Sequence, residues 1–332
     1  MNGPARRWRS YLRPAAYCLC GICCAAGTSA FAALTDSAAE TGARHDAFKN
    51  TIWQQQAKAA VHIAEGAARR YGWQVAIIPT GAARDDSLTR AALGKVRAWT
   101  RVTPYSADAS LKVARMIEGA QKAATPAQAA NEPGGSATSL YFGKGRDLCI
   151  IQLTTNSMSL ADALGSAFNL KAVAELAVRA HTSGVTAADI AFWVSAHESA
   201  HCLLGTAIRA HVIDTAWSRQ FTAPRTWRES KNADDPDDAT LARTEEIAAD
   251  MLAATWARQA RSTGKAAALI QLVQRGRRLG AYYDEDDSHE SSRALTRHLP
   301  SHARRHGSDL LVTTWKLAKE DTRYALAHRY RR

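Results

Sequence analysis

The stretch AFWVSAHESAHCLL, residues 191–204, carries two histidines and a glutamate at the spacing of a zinc-binding helix. His197 and His201 are four residues apart, so a helix presents both rings on one face, where they can bind one metal ion. Glu198 follows the first histidine and is within reach of a water molecule at that ion. A carboxylate placed there accepts a proton as the water attacks a carbonyl. The pattern therefore indicates metal-assisted hydrolysis.

A catalytic zinc also needs a third protein ligand. In the gluzincin group of zinc peptidases this ligand is a glutamate on a later helix, usually with an aspartate one turn further on. Residues 246–250 (EIAAD), on a helix predicted over 241–261, resemble that pattern, and the resemblance implies Glu246 as the ligand. Asp250 follows one turn later and is expected to accept a hydrogen bond from the outer nitrogen of a ligand histidine. Glu245 is the competing ligand, but the residue four positions after it is Ala249, which has no acceptor side chain. The pattern therefore favours Glu246.

Together, HESAH at 197–201 and EIAAD at 246–250 resemble the motifs of the gluzincins, the zinc peptidases that include thermolysin and the prenyl-protein and heat-shock endopeptidases. Val194 before the first histidine, the uncharged Ser199 and Ala200 before the second, and Leu203 after it also match the extended zincin motif. A metzincin is excluded, because no third histidine follows His201 at the required spacing. The resemblance covers residues 187–253.

This resemblance implies a fold and a reaction. The implied fold class is α+β and mainly helical, a zincin-like domain with a small antiparallel sheet beside the two zinc-ligand helices. The implied cofactor is Zn²⁺, the substrate is a polypeptide, and Glu198 is the general base of an endopeptidase. An edge strand pairs with extended substrate in this family, and residues 148–153 are assigned that role by analogy.

Peptidases of this kind also place a hydrogen-bond donor near the developing oxyanion, downstream of the third ligand. The candidates are Tyr282, Tyr283, His289, Arg293 and His298. We favour His289, which stands roughly 40 residues after Glu246, as the downstream histidine does in the prenyl-protein-processing relatives.

Helical periodicity and turn residues organise the rest of the chain. Thr186 and Asp189 form a capping-box pattern before the helix that carries His197, and Gly72 is expected to end the first helix. The predicted helices cover residues 48–70, 106–123, 160–180, 187–204, 241–261, 266–279 and 310–327, and the predicted strands cover 73–78, 139–142 and 148–153. Residues 215–238 are predicted to form a long loop.

Residues 1–32 have the pattern of an export signal. Four arginines, the last of them Arg13, precede an apolar stretch, and Ala30-Phe31-Ala32 supplies a cleavage site. An uncleaved membrane anchor over residues 14–34 is the alternative. The expected location is therefore periplasmic or secreted. The predicted divisions are the signal (1–32), an N-terminal α/β region (33–123), a linker or surface loop (124–138) and the metallopeptidase domain (139–332).

Cysteine and charge distribution leave two questions open. Removal of the signal leaves Cys149 and Cys202, which would form either a disulfide in an oxidising compartment or two buried thiols. The net charge of +12 is concentrated towards the C-terminus, whose basic helix would either contact an anionic surface or be a solvated face. Nucleic acid is the less favoured partner. A zincin-like structural or binding protein of the envelope, or of a secretion or conjugation apparatus, is the alternative to the peptidase.

Overall fold

The helix that carries His197 is the centre of the structure, a computed structural model that describes residues 42–81, 135–141, 146–153, 160–168, 173–214, 236–283, 292–297 and 309–329. The helices are α1 (Gly42–Arg70), α2 (Leu160–Ala167), α3 (Val173–Thr182), α4 (Ala187–Arg209), α5 (Pro236–Ala260), α6 (Thr263–Tyr283), α7 (Ser292–Arg297) and α8 (Leu310–Arg329). The strands are β1 (Gln74–Gly81), β2 (Gly135–Tyr141) and β3 (Arg146–Leu153). The fold is therefore mainly helical with a small sheet, as expected.

Several predictions fall outside these ranges or cross their limits. Outside the described residues lie the predicted signal, the predicted helix 106–123, most of the predicted loop 215–238, and His289 and His298. Residues from Ala47 onward form one compact unit. Within the part of the chain described, no helix is both long and apolar enough to cross a membrane.

Helix α4 is buried on nearly every side. Its apolar residues are not confined to one stripe, which is typical of a helix at the centre of a core. Seventeen of its residues are buried, including both large aromatic residues, Phe192 and Trp193. Small residues such as Ala196 and Ala200 let neighbouring elements approach closely. Helix α5 and the sheet both pack against α4.

The sheet has the order β1-β3-β2 and is mixed. β2 and β3 form the predicted antiparallel hairpin, with Ser139 opposite Cys149, but β1 runs parallel to β3, with Ile77 opposite Cys149. The predicted antiparallel sheet is therefore wrong. Strand direction depends on how distant segments are connected, which the local pattern of residues does not record.

β3 is the central strand, so the prediction that residues 148–153 form the substrate-binding edge is also wrong. Both of its sides are already paired with neighbouring strands. The buried run Leu148, Cys149, Ile150 and Ile151 fits a strand covered on both faces.

Two predicted boundaries also change. Residues 135–138, which were predicted to belong to the linker, are part of β2. The pairing of β1 with β3 joins the predicted N-terminal region to the predicted catalytic domain in one sheet. The predicted helix over 160–180 is two helices, α2 and α3. The end of α2 is positioned by contacts with α6, in which Arg277 donates to the carbonyl of Ala167 at 3.2 Å. Helical periodicity carries no signal for such tertiary contacts.

Covalent and ionic links join β3 to α4. Cys149 and Cys202 form a disulfide with a Cα–Cα distance of 5.8 Å, which selects one of the two alternatives left open by the sequence. Two residues before Cys149, the buried carboxylate of Asp147 accepts hydrogen bonds from Thr206 and from Arg209, the latter at 2.6 Å. Because Cys202 directly follows His201, these links fix the sheet against the helix that presents the histidines.

Candidate metal centre

Three donor atoms from α4 and α5 converge on one point. His197 Nε2 lies 3.1 Å from Glu246 Oε2 and 3.1 Å from His201 Nε2. His201 Nε2 lies 3.4 Å from the same oxygen of Glu246. The structure thus brings together the three residues predicted as metal ligands, which form the one such ligand group within the described ranges.

The spacing of these atoms fits a small divalent cation. Ligand atoms at tetrahedral positions about 2.0–2.1 Å from a zinc ion are about 3.3–3.4 Å apart. The three observed separations, 3.1, 3.1 and 3.4 Å, are close to that value. Three such donors occupy three tetrahedral positions, which leaves a fourth for water or substrate. The donor set of two imidazole nitrogens and one carboxylate suits zinc.

The outer nitrogen of His197 faces Asp250. His197 Nδ1 and Asp250 Oδ1 are 2.8 Å apart, so the hydrogen bond predicted from the sequence is present. The carboxylate accepts, so Nδ1 carries a proton, and Nε2 is the nitrogen directed at the convergence point, where its lone pair is free for a metal once the ring is neutral.

The outer nitrogen of His201 faces Glu245. The distance from Nδ1 to Glu245 Oε1 is 3.2 Å, whereas Glu246 turns towards the convergence point. Glu245, considered from the sequence as a competing ligand, therefore holds the second histidine instead. Each ligand histidine has its own carboxylate partner, and the two partners flank Glu246 along α5.

An arginine that the sequence analysis missed completes the cluster. Arg277 of α6 donates to both oxygens of Asp250, from Nε at 2.8 Å and from Nη2 at 3.0 Å. Both side chains are buried. The available signal was weak, because Arg277 is one of several basic residues at 275–278 and only its position on the buried face of α6 distinguishes it.

The charges in this cluster raise the pKa values of the two histidines and lower the pKa of Asp250. Burial alone would lower the pKa of each histidine. The negative charge of Asp250 outweighs burial and raises the pKa of His197, and Glu246 and Glu245 raise that of His201 well above its ordinary value. Burial would raise the pKa of Asp250, but the positive charges of Arg277 and His197 hold it far below its usual range. Without a metal, protons therefore neutralise the convergence point.

The structure describes some of the other predicted site residues and not others. Glu198 is buried beside His197, with 7% of its surface exposed. His289, predicted as the oxyanion donor, lies outside the described residues. Of its alternatives, Arg293 pairs with Asp321 at 3.5 Å and stacks on Tyr324, so its side chain is engaged with α8.

Comparison with known proteins leaves the family open. No protein-family model, curated protein or solved structure matches the chain. The gluzincin resemblance therefore rests on the two sequence motifs, at residues 197–201 and 246–250.

Proposed function

We propose that this chain is an exported zinc-dependent endopeptidase. The observation that carries the proposal is the convergence of His197 Nε2, His201 Nε2 and Glu246 Oε2 at separations of 3.1–3.4 Å. Two imidazoles and one carboxylate, with a fourth position open, are the ligands of catalytic zinc in several peptidases.

His197, His201 and Glu246 would hold the zinc ion. A bound zinc supplies a Lewis acid, which polarises a carbonyl and lowers the pKa of a water molecule to about 7. Asp250 and Glu245 keep both imidazoles in the tautomer that directs Nε2 inward. Glu198, next to His197 on α4, takes the proton of the attacking water and passes it to the leaving amine.

The edge strand β2 is the best position for an extended polypeptide substrate. β1 and β2 are the two edges of the described sheet, each paired with β3 alone, and β2 makes the more extensive contact with α4. A peptide that adds to such an edge gains main-chain hydrogen bonds and lies along the helix that carries the histidines. His289 stays the predicted donor to the oxyanion.

The disulfide supports export. Structural disulfides form and persist in oxidising compartments and are rare in the cytosol. The Cys149–Cys202 disulfide is buried beside His201, and it agrees with the signal pattern of residues 1–32. Both features together support the proposed periplasmic or secreted location.

Glu198→Gln separates catalysis from metal binding. The amide cannot accept the proton, so cleavage of an unfolded protein should fall by about 10²–10⁴-fold while bound zinc is retained. Glu175→Gln, at a glutamate paired with Arg275 on the surface, is the matched control and should cleave normally. Unchanged cleavage by Glu198→Gln would contradict the proposed mechanism. A wild-type protein that binds zinc and cleaves nothing would favour the zincin-like binding protein.

A further inference from the structure

Arg277 reaches the candidate metal centre through one carboxylate. Its Nε and Nη2 atoms donate to Oδ2 and Oδ1 of Asp250 at 2.8 and 3.0 Å. The same Oδ1 atom lies 2.8 Å from His197 Nδ1. The guanidinium, the carboxylate and the imidazole therefore form a continuous chain from α6 through α5 to α4, which ends at a proposed metal ligand.

The guanidinium is itself held in place. Its third nitrogen, Nη1, donates to the carbonyl of Ala167 at 3.2 Å, and its centre lies 5.5 Å from the ring of Phe168. That ring packs over Gly276, where a Cβ atom would lie 2.4 Å from a ring carbon. A glycine at this position lets the end of α2 approach α6 closely enough to fix the plane of the arginine.

Asp250 needs a fixed partner because it is fully buried. A carboxylate with two equivalent oxygens can turn about its side-chain torsions, and each rotation changes the direction in which it accepts the histidine hydrogen bond. A guanidinium that bonds both oxygens removes this freedom, since its planar fork matches the carboxylate in one orientation. Lysine supplies the charge without the fork.

We propose that Arg277 is a positioning residue of the metal centre. It fixes the Asp250 carboxylate, which in turn aims His197 Nε2 at the point shared with His201 and Glu246. The inference rests on the proposed zinc site. It extends that site to Arg277, whose hydrogen bonds described above go to Asp250 and to the Ala167 carbonyl.

Zinc affinity of the full chain, measured by competition with a chromogenic chelator, tests the proposal. Arg277→Lys and Arg277→Gln should each weaken zinc binding by about 10–100-fold, the usual effect of losing an outer-shell contact. Arg275→Gln is the matched control, because Arg275 lies on the same helix and pairs with Glu175 at the surface. It should bind zinc as the wild type does. Circular dichroism checks that each variant is folded, and Arg277→Lys keeps the test decisive if Arg277→Gln unfolds.

A double-mutant comparison separates positioning from general destabilisation. With Asp250→Asn already present, Arg277→Lys should weaken zinc binding by less than about threefold, because its effect passes through the Asp250 carboxylate. The visible spectrum of bound Co²⁺, which reports ligand geometry, should change in Arg277→Lys and stay unchanged in Arg275→Gln.

Wild-type zinc affinity in a folded Arg277→Lys variant would overturn the proposal. An equal loss of zinc affinity on Arg277→Lys with and without Asp250→Asn would also overturn it. A wild-type protein that binds no zinc would overturn the metal site itself, together with the inference that depends on it.

Discussion

Helix α4 passes through two buried charge clusters that look alike and differ in one respect. At its start, the buried carboxylate of Asp189 caps the helix through the backbone N–H of Thr186 at 3.0 Å and pairs with Arg261 and Lys265, each at 3.1 Å. About two turns further along α4, His197 pairs with Asp250 of α5, which also pairs with Arg277. Both clusters join α4 to neighbouring helices through a carboxylate.

The difference lies in where each network ends. Around Asp189, every contact joins a donor to a carboxylate oxygen, and in this sense the cluster is balanced by its own members. Around Asp250, the network ends at His197 Nε2, which faces another imidazole and a carboxylate oxygen. Because two imidazole nitrogens and a carboxylate oxygen are directed at one point, the site needs either protons or a metal ion there. A buried cluster that needs added protons or a metal ion indicates a ligand site, whereas one whose own donors and acceptors match indicates a structural link.

The largest expected effect is loss of metal from the unbalanced cluster. If about 10–16 kcal/mol of zinc binding is divided among the ligands, His201→Ala should weaken zinc affinity on the order of 1,000-fold. Isothermal titration with zinc measures the change. Asp189→Asn, in the balanced cluster, should leave zinc affinity unchanged, and a comparable loss there would end the distinction between the clusters.

Removal of the disulfide should destabilise the end of α4 that carries the histidines. Cys149→Ala combined with Cys202→Ala opens a link between residues 53 positions apart, and the free energy of unfolding should fall by about 2–5 kcal/mol. Urea denaturation of the zinc-free protein measures this fall. An unchanged midpoint would show that the Asp147–Arg209 pair alone fixes the sheet against α4.

The two clusters should respond to pH in opposite directions. The pKa values of His197 and His201 are raised above 6.5 in the folded protein, so they add stability to the zinc-free chain below that pH and lose it as the pH rises through the folded values. The pKa of Asp189 is lowered from 3.8: burial alone would raise it, but hydrogen bonds from Thr186 and pairing with Lys265 outweigh burial. Its contribution is present above pH 3.8 and is lost as the pH falls through the lowered value.

Zinc affinity should also depend on pH. Zinc must displace the histidine protons, so its affinity should fall with falling pH by up to about tenfold per pH unit for each proton displaced. Titrations between about pH 5 and 9 measure the slope. Affinity that does not change over this range would contradict protonated histidines in the metal-free site.

The smallest expected effect is the loss of stability on changing Asp189, in the balanced cluster. Asp189→Asn keeps a capping side chain but weakens its pairing with Arg261 and Lys265, so stability should fall by only about 0.5–2 kcal/mol. Thermal unfolding of the zinc-saturated protein is a suitable measurement. A much larger fall would show that this end of α4 also depends on an unbalanced charge.

The sequence predicted the parts of the site that follow helical spacing. His197 and His201 share a face of α4, as the i to i+4 rule predicts, and Glu246 and Asp250, chosen by their resemblance to the gluzincin motif, share a face of α5. The capping box at Thr186 is local in the same way. Such features depend on residues within a turn or two of one another.

What the sequence could not supply depends on how distant elements meet. The parallel pairing of β1 with β3 and the central place of β3 follow from chain connections that local patterns do not encode. The contact of Glu245 with His201 depends on the rotation of α5 against α4, and Arg277 reaches Asp250 from a third helix. These are consequences of tertiary packing, and they supply the groups that orient the histidines.

The crystal structure of zinc-soaked protein, with anomalous diffraction recorded at the zinc edge, tests the central claim most directly. We expect one zinc ion bound by His197 Nε2, His201 Nε2 and a Glu246 oxygen at about 2.0–2.2 Å, with a fourth position occupied by solvent. Zinc held by Glu245 in place of Glu246, or no zinc at these three residues, would contradict it.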